Sequence, residues 1–551
     1  MFELLTDHHF PDHLKDKYPL IRFSPSSDDI IISNLASHTQ ITAPEINWYL
    51  ANSQANEEIK LANLHRLYQN KLNIFDHAPF KEYTTQVQND LLLLGTQSPI
   101  VQDFFNQATT EGFSPTLINP QEITHIKGEI GSFIAILQNG EELAFSQAVL
   151  FVQDENLCKF LGILSIQDYY SAQEVLEILK SRLGTYTYKT TTLYTPSLCQ
   201  YHQRRPDKNG EGFCHKCVNV CPSFGVTKND TLMELSFSQI DCMGCGGCIA
   251  TCPTGALDFA PYTIDCLIES LRFYQDTQIL LIPENYLSLL DEIQIPQHLS
   301  PLIIPREKFP SEAHLLAITQ ESGHSFIFFS PVISRPTKEA IKLVNDIYQA
   351  IFQTDAAYVA HDTATLQTLW DKPQKLIHYT YTPSPKEARR KHFAERLIYM
   401  IKEGDFGRVE SGESGEMIRY GEIQIDEDKC TLCNSCVGAC NVDSLIANSK
   451  NFSLQYNPSL CTTCGYCIPS CPENAISLHL NGIKLSPQYF TYTTMAQDSL
   501  FSCIECGNAF ATSKSIQKIK TLMTPLFAND PIKLRTLECC ADCKAKLMFE
   551  R

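Results

Sequence analysis

No stretch of this chain approaches the roughly 18 consecutive apolar residues that a membrane-crossing helix needs. The opening residues, Met1 to His9, lack a basic segment followed by an apolar run, and no twin-arginine signal lies near them. The expectation is a cytoplasmic protein with no membrane span. Basic charge is also scarce: 44 Lys and Arg stand against 62 Asp and Glu, a formal net charge of −18. A chain so acidic is not expected to bind nucleic acid through its phosphates. It suits docking to a basic patch on a redox partner, although acidity also serves plain solubility. Catalytic signatures are missing too. There is no P-loop, no Ser–His–Asp set, and no histidine and carboxylate arrangement with metal-site spacing. Gly95-Thr96-Gln97-Ser98-Pro99 follows a strand-like run but is not G-x-G-x-x-G, so no flavin or NAD is expected there.

What the chain has in quantity is cysteine, 23 residues in all. One block reads Cys430-x2-Cys433-x2-Cys436-x3-Cys440, then Cys461-x2-Cys464-x2-Cys467-x3-Cys471-Pro472. Shifted back by 219 residues, the same pattern falls on Cys214, Cys217, Cys221, Cys242, Cys245, Cys248 and Cys252, with Glu211 in the first place. A cubane cluster offers four irons, each wanting one thiolate. C-x2-C-x2-C wraps three corners, and the last cysteine of the partner motif reaches the fourth, so paired motifs build two clusters crosswise. Proline after that last cysteine (Pro222, Pro253, Pro472) fixes φ and donates no N–H. Gly246, Gly247 and Gly465 let backbone approach the cluster. Structural zinc and disulfides do not use this spacing.

The crosswise rule assigns Cys430, Cys433, Cys436 and Cys471 to one cluster and Cys440, Cys461, Cys464 and Cys467 to another. Cys221, Cys242, Cys245 and Cys248 form a third set. The fourth has Cys214, Cys217 and Cys252 and lacks one ligand. Three readings are open. Cys199 supplies the thiolate across a 14-residue insertion, Glu211 ligates through oxygen, or the corner is empty and the cluster has three irons. The insertion carries His202, Arg204, Arg205 and Lys208, with His202 expected as a surface histidine.

Elsewhere the pattern alternates. A helix is expected over Ala43 to Gln69; His8, His9 and His13 read as a solvated terminus. Strands are expected at Asp90–Gly95 and Ser114–Ile118 around a helix from Pro99 to Gly112. Asn139-Gly140 marks a hairpin between Ile130–Leu137 and Gln147–Val152. Strands at Gln278–Ile282, Leu302–Ile304 and Phe326–Phe329, with helices at Ser311–Ser322 and Lys338–Phe352, read as a small doubly wound sheet. Ser384-Pro385-Lys386-Glu387 has the form of a capping box. The helix after it buries Phe393, Leu397, Met400 and Ile401 and turns Arg389, Arg390, Lys391 and Arg396 outward, to solvent or a partner. In the tail, Cys503-x2-Cys506 and Cys540-x2-Cys543 suggest four thiolates on zinc, although their 33-residue spacer exceeds the usual spacing of about 15–20. Cys539 could exchange with Cys540. Cys158 and Cys266 sit among apolar residues and read as small hydrophobes.

These blocks, residues 199–257 and 430–476, resemble bacterial two-[4Fe–4S] ferredoxin domains. The wider order is similar to the iron–sulfur flavoprotein subunit of heterodisulfide reductase joined to the delta subunit of methyl-viologen-reducing hydrogenase. Ile126 to Val152 looks like the flavin-family hairpin, and Gln278 to Asp362 looks like the delta domain, here without a cysteine. That resemblance implies retained cluster wiring and a lost flavin.

The expected fold is multidomain, α/β plus α+β. It comprises an N-terminal helical region (1–84), a degenerate flavin-domain-like α/β domain (85–195) and a first dicluster ferredoxin domain of βαββαβ type (196–262). A small α/β domain (263–383), a linker helix (384–425), a second dicluster domain (426–485) and a zinc-ribbon-like tail (486–551) follow. The expected function is electron relay through about four [4Fe–4S] clusters, as subunit or shuttle for a hydrogenase, formate dehydrogenase or similar complex. The rival is an accessory or maturation factor for such an enzyme. A flavin oxidoreductase is the third reading.

Overall fold

The computed structural model describes residues 3–6, 8–18, 21–22, 31–33, 41–79, 81–376, 388–410 and 416–549. The Ser384–Glu387 capping box lies outside the described residues.

Of three four-stranded parallel sheets among the described residues, one is a short N-terminal sheet of Ile21–Arg22, Glu3–Leu5, Ile31–Ser33 and Ile41–Thr42, and the two larger ones form the scaffold. In the first, Asp90–Leu94 pairs with Ser114–Ile118 on one side and Gln147–Leu150 on the other, and Ile163–Ser165 completes the edge. Leu91 to Leu94 are all buried, as a strand covered on both faces requires. Helices Pro99–Thr110 and Ala172–Ser181 pack on one face, through Phe104, Ala108, Val175 and Leu179. The Asn139-Gly140 turn is a hairpin, but its second strand is Glu142–Phe145, not the run after Gln147. Gln147–Leu150 instead pairs in parallel with Asp90–Leu94, because all four of its residues are buried and an antiparallel edge would leave one face wet.

The second sheet has the order Leu299–Ile304, Gln278–Pro283, Phe326–Phe329, Ala357–Ala360. Both of its faces are covered. Ile279, Leu281, Leu302 and Phe328 meet helices Glu312–Ser322 and Arg335–Phe352. Leu280, Ile282, Ile303 and Ile327 meet Trp48, Tyr49, Leu64 and Leu67. The single helix expected over Ala43–Gln69 is therefore two, Pro44–Asn52 and Glu57–His77, and both close this sheet rather than standing apart. Ser53 breaks them in extended conformation and Asn56 caps the second through the Ile59 N–H at 3.0 Å. His8 contacts Glu57 at 2.9 Å, while His9 and His13 are exposed.

Each cysteine block folds as βαββαβ. The first runs Thr192–Tyr194, Lys216–Val220, Val226–Asn229, Glu234–Phe237, Gly247–Thr251, Leu257–Phe259. The second runs Glu422–Ile425, Ser435–Ala439, Leu445–Asn448, Ser453–Tyr456, Cys467–Ser470, Ile476–His479. The inner strands repeat at the 219-residue offset of the cysteines: Val226 answers Leu445 and Glu234 answers Ser453.

Helix Arg389–Ile401 corrects the sequence reading. Arg390 and Arg396 are buried, and the Arg389 side chain is 8% exposed. Arg389 pairs with Glu312 and donates to the carbonyls of Ile249 (3.1 Å) and Cys252 (2.7 Å). Arg396 meets Gln320 and Glu321, each at 2.9 Å. Arg390 lies 3.5 Å from the Tyr420 ring centroid. Of that basic face only Lys391 is exposed. Periodicity assigns charges to the outer face, but here acidic partners on helix Glu312–Ser322 pair Arg389 and Arg396 in place of water, while Arg390 lies on the Tyr420 ring.

Candidate cluster and metal sites

The four cysteine sets converge in space. Cys199, Cys214, Cys217 and Cys252 line one cavity, with Tyr194, Gln200 and Lys216. Cys440, Cys461, Cys464 and Cys467 line a second. Cys430, Cys433, Cys436 and Cys471 line a third. In the fourth set, Cys248 feels Cys242, Cys245 and Cys221, which with burial push its thiol up. Each grouping is one the crosswise rule requires. Glu211 is exposed and does not line the cavity that Cys199 shares.

The loops reach this geometry by a repeated backbone device. After Cys242, Cys430 and Cys461, the second and fourth residues take positive φ: Gly244 and Gly246, Leu432 and Asn434, Thr463 and Gly465. This turns amide N–H groups inward. Thr463 N–H lies 3.4 Å from the Cys461 sulfur. For Leu432, Asn434 and Thr463 the conformation costs about 1–2 kcal/mol each, which glycine would avoid. At Gly246 (φ +79°) a Cβ would fall 2.4 Å from the Phe309 Cβ, so the close approach excludes any side chain.

Cys199 shares part of this device, with positive φ at the fourth residue and not at the second. It follows a 3₁₀ turn at Pro196–Leu198, just as Cys461 follows one at Pro458–Leu460. The sequences are Tyr194-Thr195-Pro196-Ser197-Leu198-Cys199 and Tyr456-Asn457-Pro458-Ser459-Leu460-Cys461. Its sulfur accepts the Tyr201 N–H at 3.4 Å, and Gln203, four residues on, has φ +52°. Burial, and after it the neighbouring cysteine, push up the hydroxyls of both Tyr194 and Tyr456. This six-residue repeat lies outside the C-x2-C register, and it was the available signal for Cys199.

Burial governs the thiols. It pushes Cys214 and Cys436 up to about 12. Cys217 rises well above the ordinary thiol range through burial and then Cys214. In such pockets the thiols stay neutral until a cation takes the proton's place. Basic residues stand ready: Lys308 acts on Cys245, Lys216 on Cys214, Arg204 on Cys464 and Lys514 on Cys430.

The two blocks touch through the insertion. Arg204 donates to the Ala439 carbonyl at 2.6 Å and lies 4.8 Å from the Tyr466 ring centroid. Phe213 meets the same ring at 5.0 Å. Asn441 donates to the Cys199 carbonyl at 3.2 Å, and Gln200 to the Thr462 hydroxyl. Gln200 lines both inner cavities. His202 is half-buried beside Tyr194, with ring centroids 6.4 Å apart, instead of sitting on a free surface.

In the tail, the sulfurs of Cys503, Cys506, Cys540 and Cys543 all lie within 4.8 Å of one another, with Cys506 and Cys540 at 3.7 Å. Tetrahedral zinc with Zn–S bonds of about 2.3 Å sets sulfurs about 3.8 Å apart. Burial opposes the Cys503 thiolate, but amide N–H groups led by Cys540 hold it at about 6. The first pair follows strand Leu500–Ser502; the second opens helix Ala541–Phe549. The long spacer is taken up by helices Ser513–Met523 and Pro531–Thr536, so the second pair does not come from a hairpin. Cys539 is buried and its thiol meets the Arg535 carbonyl at 3.3 Å. Cys266 is fully buried and Cys158 half-buried.

Two stretches match family models, and both models describe a 4Fe-4S dicluster domain: residues 212–256 and residues 422–472. The chain thus carries two 4Fe-4S dicluster domains of ferredoxin type, set among mixed helix and strand. A comparison with curated proteins finds no match. Among the described residues, no helix is long and apolar enough to cross a membrane.

Proposed function

We propose that this protein is a linear electron relay of four [4Fe–4S] clusters, with Cys199 as the displaced fourth ligand of its set. The order runs from Cys221/242/245/248 to Cys199/214/217/252, then Cys440/461/464/467, then Cys430/433/436/471. Gln200 carries this reading, since one side chain lines both inner cavities. Within each block the neighbouring sets also sense each other: Cys248 raises Cys217, and Cys436 raises Cys467. Each assembled cubane brings a charge of about −2, from four thiolates on a 2+ core, and the adjoining Lys308, Arg204 and Lys514 offset it.

The relay serves as subunit or shuttle between redox proteins, such as a hydrogenase or formate dehydrogenase with its acceptor, in the reducing cytoplasm. In the tail, zinc on Cys503, Cys506, Cys540 and Cys543 fixes a small module against the last cluster. Thr512 and Ser515 hydroxyls donate to the Thr431 carbonyl at 3.0 and 2.8 Å. One observation favours the accessory-factor reading. The tail exposes Leu522 (61%), Leu526 (74%) and Phe549 (87%), as a protein-docking module would.

Stopped-flow reduction by a low-potential donor tests the choice. A relay passes electrons on to an acceptor rapidly and with about four-electron stoichiometry, one per cubane. Slow, non-stoichiometric transfer refutes the relay and leaves the accessory role.

A further inference from the structure

The terminal set Cys221/242/245/248 borders a cavity of about 440 Å³, within the usual range for small-molecule sites. Its walls come from two units. Cys242, Met243 and Phe259 belong to the first dicluster block. Asn285 and Arg306 lie just past the carboxyl ends of strands Gln278–Pro283 and Leu299–Ile304. Parallel sheets of this doubly wound kind bind ligands in the crevice outside those ends. The cavity offers apolar surface at Met243, Pro261 and Pro305, over the buried Phe259, with a cation and an amide beside it. The acidic side chain in the wall, Glu284, shares Lys71 (3.6 Å) with Glu45 (3.3 Å). Thr191, also in the wall, donates its hydroxyl to the Cys242 sulfur at 2.8 Å.

We infer that this cleft binds a flavin mononucleotide-class electron carrier, ring against the apolar wall and phosphate toward Arg306, and passes its electrons through Cys242 to the first cluster. The inference rests on the relay reading. It concerns a different place from the Gly95 loop, where no flavin was expected. A planar apolar ring with an anionic end matches the lining. A cluster accepts one electron at a time, and flavin releases them singly whereas a nicotinamide gives up a hydride. Oxidation of one reduced flavin yields two electrons and two protons. The electrons take two cubanes from 2+ to 1+, and the protons leave by the open mouth.

The test is fluorescence titration of the full, anaerobically purified chain with flavin mononucleotide, beside iron analysis and cluster reduction by photoreduced flavin. The expected result is saturable quenching with a dissociation constant of about 10 µM or tighter. Arg306→Glu weakens binding about tenfold, the loss of one charge-assisted contact. Asn285→Trp, which fills the cleft, also weakens binding and slows cluster reduction, with iron unchanged in both variants. Full iron without quenching at 100 µM flavin, or affinity unmoved by both variants, overturns the cleft and spares the relay. Saturable binding of a nicotinamide dinucleotide in place of flavin overturns the ligand class. Absence of iron and acid-labile sulfide overturns the relay itself.

Discussion

Replacing Cys199 by alanine tests the least orthodox part of the proposed ligand set. Cys199 sits after a 3₁₀ turn, 9% exposed, with its sulfur in the cavity that Cys214, Cys217 and Cys252 line. Removing the thiol leaves three ligands for four irons. The wild type should carry about 16 irons in four cubanes. Cys199→Ala should carry about 15, with a three-iron signal in the oxidised protein, or about 12 if three thiolates fail to retain the core. The fold should survive, since the direct loss is the Tyr201 N–H contact, about 1 kcal/mol. Glu211→Ala is the matched control, because Glu211 is exposed outside the cavity. Anaerobic iron and sulfide quantification with electron paramagnetic resonance reads both variants. If Cys199→Ala keeps full iron and an unchanged spectrum, the reasoning from the Tyr-x-Pro-Ser-Leu-Cys repeat is wrong. If Glu211→Ala loses iron instead, the oxygen ligand was the right reading.

The buried arginine helix gives a second expectation. Arg389→Met strands Glu312 at 1% exposure and should cost about 3–5 kcal/mol, most of it recovered in Arg389→Met/Glu312→Met; anaerobic thermal denaturation measures both. Burial holds His314 and His392 down at about 3, so both stay neutral when folded but protonate near 6.5 when unfolded. Their stabilising effect is complete above pH 6.5 and is lost as pH falls toward 3, about 1.4 kcal/mol per residue for each unit below 6.5. Among the described residues, neither ring nitrogen of His392 has a hydrogen-bond partner. His392→Leu should therefore gain on the wild type by about 1 kcal/mol more at pH 5.5 than at pH 7.5; an equal difference at both pH values refutes the assignment. In the tail, Cys506→Ala should lose one zinc per chain by elemental analysis and keep all the iron, whereas loss of iron would make the site another cluster.

Cysteine spacing made the grouping of cysteines around shared cavities and the βαββαβ order legible in the sequence, because a cubane constrains ligand spacing more tightly than a core constrains its residues. The two larger parallel sheets were legible for a similar reason: runs such as Leu91–Leu94 and Phe326–Phe329 have few places to go but a doubly covered strand. Strand Ala357–Ala360 was missed because two alanines carry little β signal. Helix Arg389–Ile401 misled because periodicity sorts residues by polarity and cannot see an acidic partner 75 residues away, as Glu321 is from Arg396. Leu432, Asn434 and Thr463 adopt a backbone that only glycine advertises. The contact between blocks depends on Arg204, Phe213 and Asn441, and nothing in their local pattern names the surface they meet.

A ferry with one berth must cast off from its first shore before reaching the second. The two outer cysteine pockets have different neighbours: one adjoins the Asn285 and Arg306 loops, and the other, with exposed Cys433, adjoins the tail. With Gln200 joining the middle pair, the chain has two separate quays. On the proposed relay reading, donor and acceptor stay moored together while charge crosses between them, and the molecule works as a bridge instead of a boat.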